Sequence, residues 1–148
     1  MTTQTTSAYN TAIGFRALKL TTTASNNTAL GSFALQANTT GANNTSVGAY
    51  SLLSNTTGTE NVAVGQVAGD AITTGNYNTV VGSNALTTLT TSDHNTAMGR
   101  SALALTTTGS KNQAIGSGAM YSNTTGSHNA AVGWNALNAN TTGASNVA

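Results

Sequence analysis

Apolar side chains in this sequence never gather into long runs. They return singly or in pairs at one fixed distance, each time behind the same polar lead. An Asn opens the motif N-x-A-apolar-Gly at Asn10, Asn27, Asn44, Asn61, Asn78, Asn95, Asn112 and Asn129, and a last NVA starts at Asn146, so every interval is 17 residues, without insertion or deletion. Residues 1–148 therefore read as a single array: a partial unit 1–9, eight full units 10–145 and a partial unit 146–148. Counting each opening Asn as coil position 1, position 3 is small (Ala12, Ala29, Ser46 and their equivalents) and position 4 is larger (Ile13, Leu30, Val47, Val64, Val81, Met98, Ile115, Val132). In an extended chain these two point to opposite faces, so a strand apolar on both sides is predicted at positions 2 to 4. A second small-large pair at positions 8 and 9 predicts another short strand, its large members being Leu18, Leu35, Leu52, Leu86, Leu103, Met120 and Leu137, with Gly69 as the exception.

Two corners complete the unit. Gly at position 5 recurs in all eight full units and predicts a sharp bend. The pair Thr-Thr at positions 13 and 14, already present as Thr5 and Thr6, is usually followed by Gly and predicts the second corner. Two strands and two corners in 17 residues describe one coil of an all-β parallel β-solenoid, about 40 Å long at ~4.8 Å per coil. Helical repeats need about 33 residues or more, and Asn, Thr and Gly are poor in helix interiors.

Stacking repeats each position above itself. Asn10, Asn27, Asn44, Asn61, Asn78, Asn95, Asn112, Asn129 and Asn146 are expected to form a ladder of side-chain amides with a structural role. With Ala filling the coil at positions 3 and 8, the large residues of positions 4 and 9 are expected to face outward as two stripes. Ile13, Leu30, Val47, Val64, Val81, Met98, Ile115 and Val132, together with Leu18, Leu35, Leu52, Leu86, Leu103 and Leu137, are then the expected oligomer interface. The inverse arrangement, large residues inside and Ala outside, would allow a monomer.

The segments NTAIGFRAL, NTALGSFAL, NTAMGRSAL and NTTGSHNAAVG resemble the head repeats of trimeric autotransporter adhesins of the YadA type, and related repeats of bacteriophage and other viral tail fibres. The resemblance covers essentially the whole chain. Those families often carry S-V-A-I-G, where this chain usually has Thr in place of the Val, and their familiar head repeat is shorter. The resemblance implies a left-handed parallel β-roll in a homotrimer, and a rigid extracellular rod on a cell surface or virion fibre that holds adhesive surfaces outward. It implies no enzyme and no catalytic residues.

Composition narrows the chemistry. Leu, Ile, Val and Phe make only 24 of 148 residues, yet the net charge is +1 and the register never slips, which is the mark of an ordered array. Four Lys and Arg against three Asp and Glu leave no basic patch for nucleic acid, no apolar run inserts into a membrane, and without Cys there is no thiolate metal site. Any export signal or anchor is expected to lie outside this chain. Ser92, Asp93 and His94 are adjacent, but neighbouring side chains diverge in an extended chain, so they form no nucleophile and base. His94 and His128 sit two coils apart, roughly 10 Å, too far for one shared metal. No cofactor is expected. The N-x-T matches at Asn38, Asn55, Asn123 and Asn140 follow automatically from the repeat.

Positions 6 and 7 vary from unit to unit and carry Phe15, Phe33, Tyr50 and Trp134. Phe15, Tyr50 and Trp134 are the candidate contacts to a host-surface glycan, with Arg16, Asn135 and Asn138 beside them, and a protein receptor is the other expected class of partner. Two further functions compete with the adhesive rod. Uncapped coils at both ends would suit a subunit that stacks head to tail into a filament, and the Thr rows at positions 13 and 14 would suit ice binding, although there they occupy a corner rather than a flat strand.

Overall fold

The computed structural model describes residues 8–148; Thr5 and Thr6 lie outside the described residues. One strand of three residues forms in each full unit: β1 Thr11–Ile13, β2 Thr28–Leu30, β3 Thr45–Val47, β4 Val62–Val64, β5 Thr79–Val81, β6 Thr96–Met98, β7 Gln113–Ile115 and β8 Ala130–Val132. They pair in chain order into one parallel sheet. Register follows the repeat, with Thr11 opposite Thr28, Ala12 opposite Ala29 and Ile13 opposite Leu30, through to Ile115 opposite Val132. A bridge between Ala130 and Val147 starts the ninth coil. The molecule is a parallel β-solenoid of 17-residue coils.

Each strand is kept to three residues by its neighbours. Asn at position 1 turns its side chain into the coil, and Gly at position 5 leaves the strand at φ between +132° and +142°. A side chain is excluded there twice over: the φ is hostile to L-residues, and a Cβ on Gly14 would run into the carbonyl of Gly31 in the next coil. Between these limits the alternation holds as expected. Position 3 faces inward, with Ala29, Ala63, Val80, Ala97, Ala114 and Ala131 buried, while positions 2 and 4 face out.

The second half of the coil differs from the sequence expectation. No second strand forms; after Gly the chain runs through continuous turns. Position 9 adopts the left-handed conformation in every full coil, from φ +47° at Leu52 to +58° at Gly69. Strand alternation cannot apply to such a residue, so positions 8 and 9 both point inward. Leu18, Leu35, Leu52, Leu86, Leu103 and Met120 are completely buried within the single chain, and Leu137 packs against the same core. The position 9 leucines are therefore withdrawn from the expected oligomer interface. The left-handed conformation costs about 1–2 kcal/mol per residue, and full burial of a Leu side chain returns about 1.5–3 kcal/mol. The balance favours the inward turn, the more so because Leu18 N–H still donates to Ala34 O at 3.1 Å.

Backbone hydrogen bonds bind coil to coil around the whole circuit. Gly31 N–H donates back to Ile13 O at 2.8 Å, Thr28 N–H forward to Asn44 O at 2.9 Å, and Asn43 N–H back to Ser25 O at 3.1 Å. The corner at positions 13 and 14 forms as expected. Its first Thr caps the stack, Thr39 Oγ1 donating to Thr56 O at 3.0 Å and Thr124 Oγ1 to Thr141 O at 3.0 Å.

Candidate functional site

Many of the polar side chains are spent on holding the stack. In the Asn row the backbone N–H of Asn44 donates to Oδ1 of Asn27 at 2.9 Å, and its Nδ2 crosses the coil to Gly58 O at 2.8 Å. The pattern repeats from Asn27, bonded to Asn10, up to Asn146, bonded to Asn129. Asn27, Asn44, Asn61, Asn78, Asn95, Asn112 and Asn129 are buried, so this row is closed to any ligand.

A second Asn row lies at position 12. Asn38, Asn55 and Asn123 are buried, and Asn55 Nδ2 donates to Asn38 Oδ1 at 3.0 Å and to Gly58 O at 3.0 Å. Ile72, Leu89 and Thr106 interrupt the row, and Asn55 Oδ1, which faces Ile72's coil, is buried without a partner. The N-x-T matches thus have a structural explanation. The sequence carried a signal for it: all four coils with Asn at position 12 have Gly at position 15, and each of these Asn donates to that Gly carbonyl.

Two surfaces remain. The first is the outer face of the sheet. Ile13, Leu30, Val64, Met98, Ile115 and Val132 are exposed and Val47 and Val81 half-buried, giving one aliphatic row along all eight strands, flanked at position 2 mostly by Thr. One outward stripe exists where two were expected.

The second is the lateral surface of positions 6, 7 and 10. Here the three expected glycan contacts separate into two groups. Phe33 and Tyr50 stack face to face, centroids 5.0 Å apart and planes within 7°, and Phe15 packs edge-on to Phe33 at 5.3 Å. Arg16 lies 5.1 Å from the Phe15 centroid and 5.8 Å from that of Phe33. Stacked rings cover each other's faces, so this column is another ladder, with Arg16 as its cationic cap. Trp134 is different: it is 80% exposed and no aromatic ring packs on it. It walls a groove of about 410 Å3 with Arg100, Gly118, Tyr121, Asn135 and Asn138, and Ser101 and Ser117 complete the lining. Asn138 Nδ2 donates to Gly118 O at 2.9 Å and more weakly to Asn135 Oδ1 at 3.4 Å, which fixes the floor. Sequence reasoning reached Trp134, Asn135 and Asn138 but missed Arg100, Gly118 and Tyr121. Their signal was the crowding of three unusual residues into adjacent coils.

The remaining residues weighed from sequence take ordinary places. His94 stacks on Tyr77 at 4.9 Å in the outer column of position 17. Asp93 Oδ1 accepts the backbone N–H of Asn76 at 2.6 Å. Among the described residues no three His, Asp or Glu cluster as metal ligands, and no helix is long and apolar enough to cross a membrane. The position 14 Thr side chains are exposed in every full coil, but most position 13 hydroxyls are already committed to the next coil's carbonyl. Neither a family model, nor a curated protein, nor a solved structure matches this chain.

Proposed function

We propose that the chain is a non-catalytic segment of an extracellular adhesive or display fibre, a rigid left-handed rod that assembles as a homotrimer around an axis lined by coil position 4. The observation that carries this reading is the aliphatic row Ile13, Leu30, Val47, Val64, Val81, Met98, Ile115 and Val132, exposed or half-covered along the full sheet of one chain. Covering such a row stabilises an assembly by about 25 cal/mol per Å2 of apolar surface removed from water. The row is one residue wide. Three narrow rows meeting on a threefold axis cover one another from both sides, whereas a pair of rows leaves its flanks wet. Rotation about an axis parallel to the stack also keeps every coil level with its copies, so the contact grows with the number of coils. The Asn row and the first Thr of each corner support a scaffold role, because their side chains are engaged in coil-to-coil hydrogen bonds.

The test is mass in solution. Light scattering on the folded protein is expected to give three chains of 14.7 kDa. Val81→Lys is expected to give folded single chains. A fully stable monomer, or a Val81→Lys variant that keeps the trimer, overturns the reading.

A further inference from the structure

We propose that the groove walled by Trp134 and Arg100 is a binding site for an anionic saccharide, a sugar ring lying on the indole and its carboxylate or sulfate group held by the guanidinium. This deepens the adhesive reading above and rests on it for its biological sense, but not for its chemistry.

The repeat itself separates what the coil needs from what it does not. Position 7 is left-handed in all eight coils, and Arg16, Phe33, Tyr50, Val67, Asn84, Ser101 and Asn135 all adopt that conformation. Glycine is therefore not required at Gly118. What its missing side chain provides is room for the Asn135 amide, which a Cβ there would displace from the floor of the groove. The same groove is lined by Tyr121, which is the one aromatic residue at position 10, and Trp134, the only Trp of the chain. Neither aromatic is demanded by stacking, and both line the groove with Gly118.

The chemistry of the lining points to the ligand. Trp134 keeps an uncovered aromatic face in water, unlike Phe33 and Tyr50, whose faces meet each other. An open indole face against a polar floor suits the apolar side of a pyranose. The polar side chains of the lining are the Arg100 guanidinium, the Tyr121, Ser101 and Ser117 hydroxyls, the indole N–H and the amides of Asn135 and Asn138, with Asn135 Oδ1 already accepting from Asn138. No Asp or Glu lines the groove. A polar site with one cation and no anion selects a hydroxyl-rich ligand carrying negative charge. One cation is too few for a nucleic acid, whose phosphates need several. The volume of about 410 Å3 lies within the range of small-ligand sites and holds a short saccharide.

The single Trp makes the test direct, because intrinsic Trp fluorescence reports on this groove alone. The folded wild-type protein is titrated with an oligogalacturonate, a sulfated glycosaminoglycan disaccharide and a neutral maltooligosaccharide, at low and high salt. The expected result is a saturable Trp change with one or both anionic sugars at millimolar concentration, weakened by salt, and little with the neutral one; the two anionic arms show which acid group is preferred. Arg100→Gln is expected to lower the anionic affinity by about tenfold, the worth of one charge-assisted hydrogen bond. Gly118→Asn, which the left-handed backbone tolerates, is expected to abolish binding with an unchanged circular dichroism spectrum, while Gln66→Ala leaves it intact. The proposal is overturned if no saccharide changes the Trp signal, if the neutral sugar binds as well as the anionic ones, or if Arg100→Gln retains the preference. A trimer that binds no sugar sinks this proposal and leaves the rod; a monomer that binds it does the reverse.

Discussion

The side chain of Ile72 ends 3.0 Å from the point where Gly69, three residues earlier, would carry a Cβ. Gly69 takes the place filled by Leu or Met in every other full coil, and Ile72 takes a place filled by Asn in four of them. One exchange compensates the other: Ile72 reaches into the volume that the absent Leu leaves, with Val80 3.6 Å from the same point. The cost is borne by Asn55, whose Oδ1 loses the amide that would continue its ladder. Gly69→Leu alone is expected to overpack the coil and to destabilise by about 1–3 kcal/mol. Ile72→Asn alone opens a cavity beside Gly69. Combined, the two restore the common pattern, and denaturation of all four proteins is expected to give a favourable coupling of about 1–3 kcal/mol. Strict additivity would mean that the two substitutions do not compensate each other.

Removing a rung from the main ladder is expected to be expensive in the middle and cheap at the end. Asn61→Ala strands the buried N–H of Asn78 and takes a donor from Gly75 O. Each unsatisfied buried group costs about 1–3 kcal/mol, so a loss of about 2–5 kcal/mol is expected in urea unfolding. Asn146→Ala, at the partly exposed last rung, is expected to cost under about 1 kcal/mol.

The position 4 and position 9 rows should respond differently to charge. Leu86→Lys places an ammonium in a fully buried site of the single chain and is expected to unfold it. Val81→Lys lies on the outer face and is expected to leave the secondary structure by circular dichroism unchanged while dissociating the proposed trimer. Ser83→Lys on the lateral surface is expected to change neither. Equal loss of structure from Val81→Lys and Leu86→Lys would contradict the one-stripe arrangement.

Val67 is β-branched and sits at φ +59°. Asn occupies the same conformation at Asn84 and Asn135, and tolerates it better because its short polar side chain can bond locally. Val67→Asn is expected to stabilise by about 1 kcal/mol and raise Tm in thermal unfolding; a fall would show that Val67 contributes more by packing than it loses by strain.

Asp70 gives the pH dependence a definite sign. Burial pushes its carboxyl above the ordinary value of 3.8, against the opposing effect of backbone hydrogen bonds from Asp70 and Ala71. Its Oδ1 is buried without a partner. A folded-state value above the unfolded one means the fold binds the proton more tightly, so this contribution is complete below 3.8 and is lost as pH rises through the higher folded value. Asp70→Asn is expected to stabilise at neutral pH and to flatten that part of the stability profile measured by denaturation across pH 3 to 7. A wild-type profile that rises through this window, unaltered in Asp70→Asn, would refute it.

How much of this was legible in the sequence depends on which residues are local in their demands. Gly14 and its equivalents, the Asn ladder and the in-register strands follow from period and alternation, since each contact joins a residue to its own copy one coil away. The inward turn of Leu18 and its equivalents was not legible, because nothing in an Ala-Leu pair distinguishes an extended residue from a left-handed one; the burial of the whole coil decides it. The lateral groove was half legible. Trp134 announces itself by type, but Gly118 acts through absence, and Arg100 and Tyr121 meet Trp134 only because positions 6 and 10 of successive coils are stacked.

Because every hydrogen bond along the stack joins a residue to the coil immediately before or after, no coil depends on one farther off. The reach of the rod is thus a counted quantity. Gain or loss of one 17-residue unit changes its length by about 4.8 Å and leaves the remaining ladders closed. Insertion or deletion of a whole unit in the gene would thus change the length of the rod without a new kind of contact having to be invented.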